Sequence, residues 1–266
     1  MPKSNYKRTA AARAPKGAEA EYRRELLRII NAITAMFKDQ IAPIVKQNPK
    51  PVTDGYIKDG FIAEITSKMA IIQTLLRFDQ KNSNGIASEF VGVVNRFNVN
   101  RVKSSIKSAG FEIPQLQSIV ESENIENALD ASIAENVSLI TKMGDDYLSQ
   151  IQTAVTKNYL QGAFEGKGGL QKELQRIGGV NKNRAKLIAR DQTNKITASL
   201  NQIRMQNAGS IGYQWSNSND ERVRGNPSGK YPNVPNSRNH WEREDKYYLW
   251  KPSSNPPIAP DGKPFR

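Results

Sequence analysis

The sequence predicts a mainly α-helical protein, an extended helical N-terminal region followed by a small α+β C-terminal domain. Three observations predict it. Apolar residues recur every three or four positions through most of the first 209 residues, the period of one helix face. After Gly209 that period stops, and residues 210–266 hold Trp215, Trp241 and Trp250, all the tryptophans, with most of the prolines. Hydrophobic residues make up only 37% and mean hydropathy is −0.64, so a modest core and an extended shape are expected.

Residues 1–17 carry Lys3, Lys7, Arg8, Arg13 and Lys16 and no acid. Such a segment buries too little apolar surface to offset chain entropy, so a disordered basic arm is expected. Two readings stay open: a frayed end, or an arm that orders on DNA or on a partner protein. A helical N-terminal region is expected over 18–134. Its first helix, 18–47, has Leu26, Leu27, Ile30, Ile33, Met36 and Phe37 on one stripe, with Arg23 and Arg24 off it. Pro43 bends or ends it locally. A second helix follows over 54–79, then a turn at Asn82-Ser83-Asn84-Gly85, then a third helix over 86–108, with Gly110 just past its end.

A C-terminal domain is expected over 135–266, helical to about 209. Apolar spacing predicts helices over 121–144 and 145–162, with a break at Gly144. A short helix is expected over 170–177, then a break at Gly178-Gly179. Asn181 is read as the N-cap of a helix running to about Gln206. Tyr213-Gln214-Trp215 and Tyr247-Tyr248-Leu249-Trp250 read as short strands among loops.

Charge bounds the partners. Thirty-nine Lys+Arg against 26 Asp+Glu give +13, which favours a polyanionic neighbour through counterion release. Nothing points to sequence-specific readout. The chain has no cysteine, which excludes disulfides, thiolate nucleophiles and cysteine-based zinc sites. No apolar run approaches the roughly 20 residues that span a bilayer, and the basic N-terminus lacks the apolar segment of a secretory signal. Synthesis and use in the cytoplasm are expected, unless an assembly carries the protein elsewhere.

Three stretches carry a family resemblance over about 135–266. They are AENVSLITKMGDDYLSQIQTAV (135–155), GVNKNRAKLIARDQTNKITASLN (179–201) and YQWSNSNDERVR (213–224). Together they resemble the phage Mu F-like family of head morphogenesis proteins, also called minor capsid proteins. Asp191-Gln192 stands where that family usually has Thr-Glu, and His240 corresponds to a family histidine at longer spacing. The segment Pro260 to Phe265 is similar to the one leading into the family's Cys-Arg-Cys, which this sequence does not contain: either this member lacks it or the sequence stops short of it.

The resemblance implies a virion component placed at the portal vertex and inner face of the head, and in host cytoplasm during assembly. Its implied partners are the portal protein, the major capsid or scaffolding protein, and packaged DNA held non-specifically, with no membrane during assembly. Multiple copies per virion are implied, and some members accompany DNA into the host. DNA or portal contacts are expected from Lys3, Lys7, Arg8, Arg13, Lys16, Arg23, Arg24, Arg184 and Arg190. Arg184 and Arg190 do not form one clean stripe, so a solvated face competes with that reading.

The remaining candidates read as structural. Trp215, Asp220, Arg222, Arg224 and His240 form a loop motif in which opposite charges pin the chain, with a buried arginine tying the loop to the preceding helices. No carboxylate, base and nucleophile set completes a catalytic site, so no enzyme activity is expected. A lone histidine with scattered acids is a poor metal site. Gly166, Gly168 and Gly169 lack the Gly-Lys-Ser/Thr of a phosphate loop. No cofactor is expected. The aromatic cluster around Trp241 to Trp250 reads as a small β core rather than a base-stacking platform. Two other classes stay in view: a DNA-binding protein acting outside the virion, and a transferase-like, toxin-associated enzyme domain around Arg222 and His240.

Overall fold

The computed structural model describes residues 9–10, 13–47, 60–78, 80–110, 123–160 and 169–266. Helix follows helix: α1 (Lys16–Gln40), α2 (Ala42–Gln47), α3 (Phe61–Phe78), α4 (Gln80–Ser108), α5 (Glu123–Leu160) and α6 (Leu170–Asn207). Two three-residue strands come last, β1 (Gly212–Gln214) and β2 (Tyr247–Leu249), with a 3₁₀ turn at Asn236–Arg238 between them. The protein is therefore mainly α with a small two-stranded sheet near its C-terminus. The chain forms two compact units. One comprises Arg13–Val99 and Glu126–Leu200, the other Met1–Ala12, Asn100–Ile125 and Asn201–Arg266.

In the first unit, α1 buries Ala18, Tyr22, Leu26, Ile30, Ile33 and Phe37, a three- and four-residue spacing that lines one helix face. The Tyr22 ring stacks on Phe90 of α4 with centroids 3.9 Å apart. Thr34 of α1 shares a 2.8 Å hydrogen bond with the Tyr147 hydroxyl of α5. The helix opens at Lys16, inside the stretch expected to be a disordered arm, and Pro15 before it is buried. Pro43 behaves as expected: α1 stops at Gln40, and Pro43 sits in the first turn of α2, where a missing N–H costs little.

Three expected breaks are absent, and packing explains each. At Gly144, α5 continues, and Ile33 of α1 lies 4.0 Å from where a Cβ would stand. A Cβ there would make only ordinary contact with Ile33, and the packing of α1 on α5 outweighs the roughly 1 kcal/mol that glycine costs in a helix. Gly178-Gly179 likewise lies inside α6, with the Tyr147 hydroxyl 3.4 Å from a Cβ built at Gly178. Asn181 is not an N-cap. It is fully buried mid-helix and donates to the Ile177 carbonyl and to Gln150 Oε1, both at 3.0 Å. The expected turn at 82–85 is the first part of α4, whose Ile86, Ala87 and Phe90 are buried. Burial of that face outweighs weak local propensity.

Helices α5 and α6 run antiparallel, joined by polar cross-links rather than apolar ridges alone. Asn136 donates to Gln192 Oε1 (3.4 Å), Lys195 to both Glu135 oxygens (2.6 and 2.7 Å), and Arg184 to Asp146 (2.7 Å). Beyond the Asn181–Gln150 bond, Asn158 donates to Glu173 Oε2 at 2.9 Å. Small residues Ala185 and Ala189 are fully buried on the same face of α6.

In the second unit, Val102 and Ile106 of α4 meet Met205 of α6, with Ala208 and Trp250 packed on them. Helix α6 ends in a Schellman turn: Ser210 N–H reaches Met205 O, Gly209 N–H reaches Gln206 O, and Gly209 takes φ +83°. Strands β1 and β2 pair antiparallel with Tyr213 opposite Tyr248. The terminal segment lies along the other side of β2, through Leu249 N–H to Arg266 O and Arg266 N–H to Tyr247 O, both 3.0 Å. Phe265 thereby packs with Tyr247 and Ala259. Gly212 is required there, because a Cβ would overlap the Tyr248 carbonyl and crowd the Phe265 ring.

The Tyr22 hydroxyl is buried with no hydrogen-bond partner among the described residues, and burial pushes its pKa well above the usual tyrosine value. Removing an unpartnered buried hydroxyl relieves a desolvation cost. Tyr22→Phe should therefore melt no lower than the parent. Leu26→Ala, on the same stripe, should lose roughly 2–5 kcal/mol. Urea melts of both variants decide it: a Tyr22→Phe loss rivalling that of Leu26→Ala would mean the hydroxyl is bonded after all.

Candidate functional site

The loop from Trp215 to Lys246 is built on short-range polar contacts. Its two ends pair through Trp215 N–H to Lys246 O (2.8 Å) and Asp245 N–H to Trp215 O (3.0 Å). Asp245 adopts φ +57° at this closure, and Asn219 adopts φ +51° further in. Glu244 accepts from Asn217 N–H at 2.6 Å and from the Ser216 hydroxyl at 3.4 Å. Two inner segments are then tied together, by Gly225 N–H to Tyr231 O and Trp241 N–H to Arg224 O. Gly225 has φ +86°, and a Cβ on it would overlap the Asn239 side chain, so only glycine fits.

The Asp220–Arg224 motif is a self-contained turn. Asp220 accepts from the Arg222 backbone N–H at 2.9 Å and from its guanidinium at 2.8 Å. The Arg222 guanidinium, and next its backbone N–H, hold the Asp220 carboxyl below the usual carboxylate range. Glu221 pairs with Lys230 at 2.8 Å. The expectation of a buried arginine tying this loop to the helices needs correction. The Arg222 side chain is 70% exposed and bonds within its own turn, and Arg224 is exposed as well. Val223 between them is the buried residue. Among the described residues of this unit the buried arginine is Arg204, on α6.

Trp215 and His240 do come together. Their rings meet edge to face at 5.5 Å, and the Arg243 guanidinium lies 5.5 Å from the Trp215 ring centre. Burial, then Arg243, then Arg224 make the His240 imidazole harder to protonate than an ordinary histidine. Trp215 Nε1 is buried with no partner among the described residues. The aromatic row continues: Trp215 to Tyr248 (6.4 Å), Tyr248 to Tyr213 (5.6 Å), and Tyr213 to Trp250 (4.5 Å). All these rings are half-buried. Sequence reasoning read the cluster around Trp241 to Trp250 as a small β core and put Trp215 in the loop motif. It missed that the strand register sorts them from Tyr247 and Phe265, although the alternation Tyr213-x-Trp215 and Tyr248-x-Trp250 was the available signal.

Lys3, Lys7 and Arg8 fall outside the described residues. Arg13 is exposed ahead of α1, and exposed Lys16 opens it. Arg23 and Arg24 are exposed on α1, Arg24 pairing with Glu21 at 3.3 Å. They line an open groove of about 1110 Å³ with Leu27, Val93 and Phe97. Arg184 is committed to Asp146, and Arg190 to its neighbour Asp191 at 3.2 Å. Glu135, bonded chiefly by Lys195, has its pKa lowered. Gln192, from the Asp191-Gln192 pair, contacts both Asn136 and Glu135 between helices. Among the described residues, no group of three His, Asp or Glu side chains is placed to hold a metal ion. No described helix is long and apolar enough to cross a membrane.

Residues 149–228 match the family described as Phage Mu protein F like protein. The matched stretch runs from the second half of α5 through α6 and β1 to the Asp220–Arg224 turn. An uncharacterized protein of Haemophilus influenzae is 27% identical over 236 residues, covering 85% of this chain. The chain spans about half, 50%, of that relative's length. No solved structure matches the chain.

His240 is the single histidine, so its ring protons titrate without overlap in NMR spectra. Its midpoint should lie below about 6.5, the ordinary value, and should rise in Arg243→Gln. Because the folded pKa is the lower one, the neutral ring's contribution to stability is complete above about pH 6.5 and is lost as pH falls through the folded midpoint. A midpoint at or above the ordinary value would contradict the packing against Trp215 and Arg243. Arg222→Ala should leave the melting temperature within error of the parent, since the ion pair it removes is solvent-exposed. A clear drop in calorimetry would reveal a partner for Arg222 beyond Asp220.

Proposed function

The chain carries a Phage Mu protein F like region at residues 149–228, and on that premise we propose that it is a head morphogenesis, or minor capsid, protein of a phage or prophage. It docks on the portal protein and the inner capsid surface during procapsid assembly, and sits beside packaged DNA in the finished head. The observation that carries this reading is the placement of the match, which takes in the last part of α5, all of α6, β1 and the Asp220–Arg224 turn as one continuous stretch. The charge of +13 supports a polyanionic neighbour. Exposed Arg13, Lys16 and Arg23 supply cations on the N-terminal part.

The work is structural rather than catalytic. Asp220 and Glu221 are each held by a cation of the same loop, and Glu244 is engaged by Asn217 and Ser216. These carboxylates hold the loop in shape and are poor general bases as they stand. Docking of a helical protein onto a portal ring would use helix faces, and the α1 groove with its exposed Phe97 is suited to that.

Co-expression with the portal protein of the same genome, followed by size-exclusion chromatography with mass determination, tests the assignment. A complex of defined stoichiometry is the expected result. Elution apart from the portal protein, on DNA alone, would overturn the head assignment in favour of a DNA-binding protein acting outside the virion.

A further inference from the structure

Over its first half, helix α6 turns one acid-free face to solvent. Lys172, Gln175, Gly179, Lys182, Lys186 and Arg190 are all exposed. At 3.6 residues per turn they fall within an arc of roughly 80°, in a row about 27 Å long. The acids of α6 are Glu173 and Asp191, and both lie roughly 100° further round the helix. There Arg176 pairs with Glu173 at 3.8 Å and Arg190 with Asp191 at 3.2 Å. The remaining ion pairs of α6 use Arg184 and Lys195. Lys172, Lys182 and Lys186 are thus left unpaired among the described residues. Gly179 sits within the row. Its neighbour Gly178 has the Tyr147 hydroxyl against it, but nothing lies within 4 Å of a Cβ built on Gly179. A mid-helix glycine that no packing contact explains suits a place where a ligand comes close to the backbone.

We propose that this face of α6 lies along the backbone of duplex DNA, with Lys172, Lys182 and Lys186 on phosphates and Gly179 letting a strand approach the helix. Charge complementarity selects a polyanion. Both acids of α6 are matched by arginines, so the unmatched charge of the row is wholly positive. The side chains of the row select among polyanions. Protein interfaces are anchored by buried aromatic or aliphatic groups, and the row has no apolar side chain. The exposed Val180 and Leu187 lie off it, on the side of Arg184. Single strands are held by stacking on aromatic rings, and the row has none. Contacts to duplex phosphates need neither. Lys182 and Lys186 are one turn apart, about 6 Å along the helix, so each reaches its own phosphate. Such contacts hold the protein on DNA without reading its sequence. The inference deepens the DNA-proximal reading above, and rests on it for the identity of the polyanion.

The experiment is fluorescence anisotropy of the full chain with a labelled mixed-sequence duplex, at a series of salt concentrations. The parent should bind, with log K falling linearly against log salt. Combining Lys172→Gln, Lys182→Gln and Lys186→Gln removes three phosphate contacts, so the slope should become shallower by roughly 2.7. Combining Lys230→Gln, Lys251→Gln and Lys263→Gln removes the same charge from exposed positions of the second unit, and should keep the parent slope. Gly179→Leu puts a side chain into the row while favouring helix, so it should melt no lower than the parent and bind severalfold more weakly. No binding by the parent, an unchanged slope without the three α6 lysines, an equal change in the matched variant, or unaltered binding by Gly179→Leu would overturn the proposal. So would loss of portal co-elution without the α6 lysines while DNA binding persists, which would make the row a protein contact. The portal co-elution also separates the two readings. A chain that elutes with the portal but binds no duplex keeps the head assignment and loses this site. Duplex binding that depends on the α6 lysines, without portal co-elution, keeps the site and loses the head assignment.

Discussion

The pairing of α5 with α6 is the constraint on which the first unit depends, and it is specified by polar groups. Asn136, Asn158 and Asn181 are all buried, and each donates across the helix pair. An apolar interface tolerates a slip of one turn, whereas a slip here would strip several buried amides of their cross-helix partners, leaving each only its bond to the carbonyl one turn back in its own helix. The ion pairs Glu135–Lys195 and Asp146–Arg184 are partly exposed and add less. Their value is in register, which the buried amides already enforce. Ala185 and Ala189 let the helices approach closely enough for these short side chains to reach.

The second unit solves a different problem with few residues. Two three-residue strands cannot hold themselves together in water. Here β2 is bonded on both sides, by β1 and by the terminal segment through Arg266. Phe265 covers one face, and Trp250 is held by the helical cluster on the other. The long loop between the strands is then closed at its neck by Trp215, Asp245 and Lys246. Turn residues with positive φ at Asn219, Gly225 and Asp245 let it fold back on itself. Asp220, Glu221 and Arg222 of the Asp220–Arg224 turn are thereby paired within the loop.

These two constructions meet the family match in an informative way. The matched residues include the α6 side of the amide ladder and the loop motif, but only β1 of the ribbon. The functional assignment therefore rests on the helical pair and the turn.

What the sequence by itself determined is the class of the fold, the stripes that became cores and the C-terminal ends of α4 and α6. The Leu26–Ile30–Ile33–Phe37 spacing is buried as read, and Gly110 and Gly209 cap their helices with positive φ. Both strands lie where β-forming aromatics cluster. Those features depend on local periodicity and backbone sterics, which a sequence carries openly. Tertiary structure alone decided the rest. Gly144, Gly178 and Asn181 look like breaks because local propensity disfavours them in a helix. They are helical because a neighbouring helix packs on them or bonds to them. Arg222 looked like the buried anchor and is exposed, while Arg204, unremarked in its stripe, is buried. Burial of a charge depends on which partners the fold brings near, and no spacing along the chain encodes that.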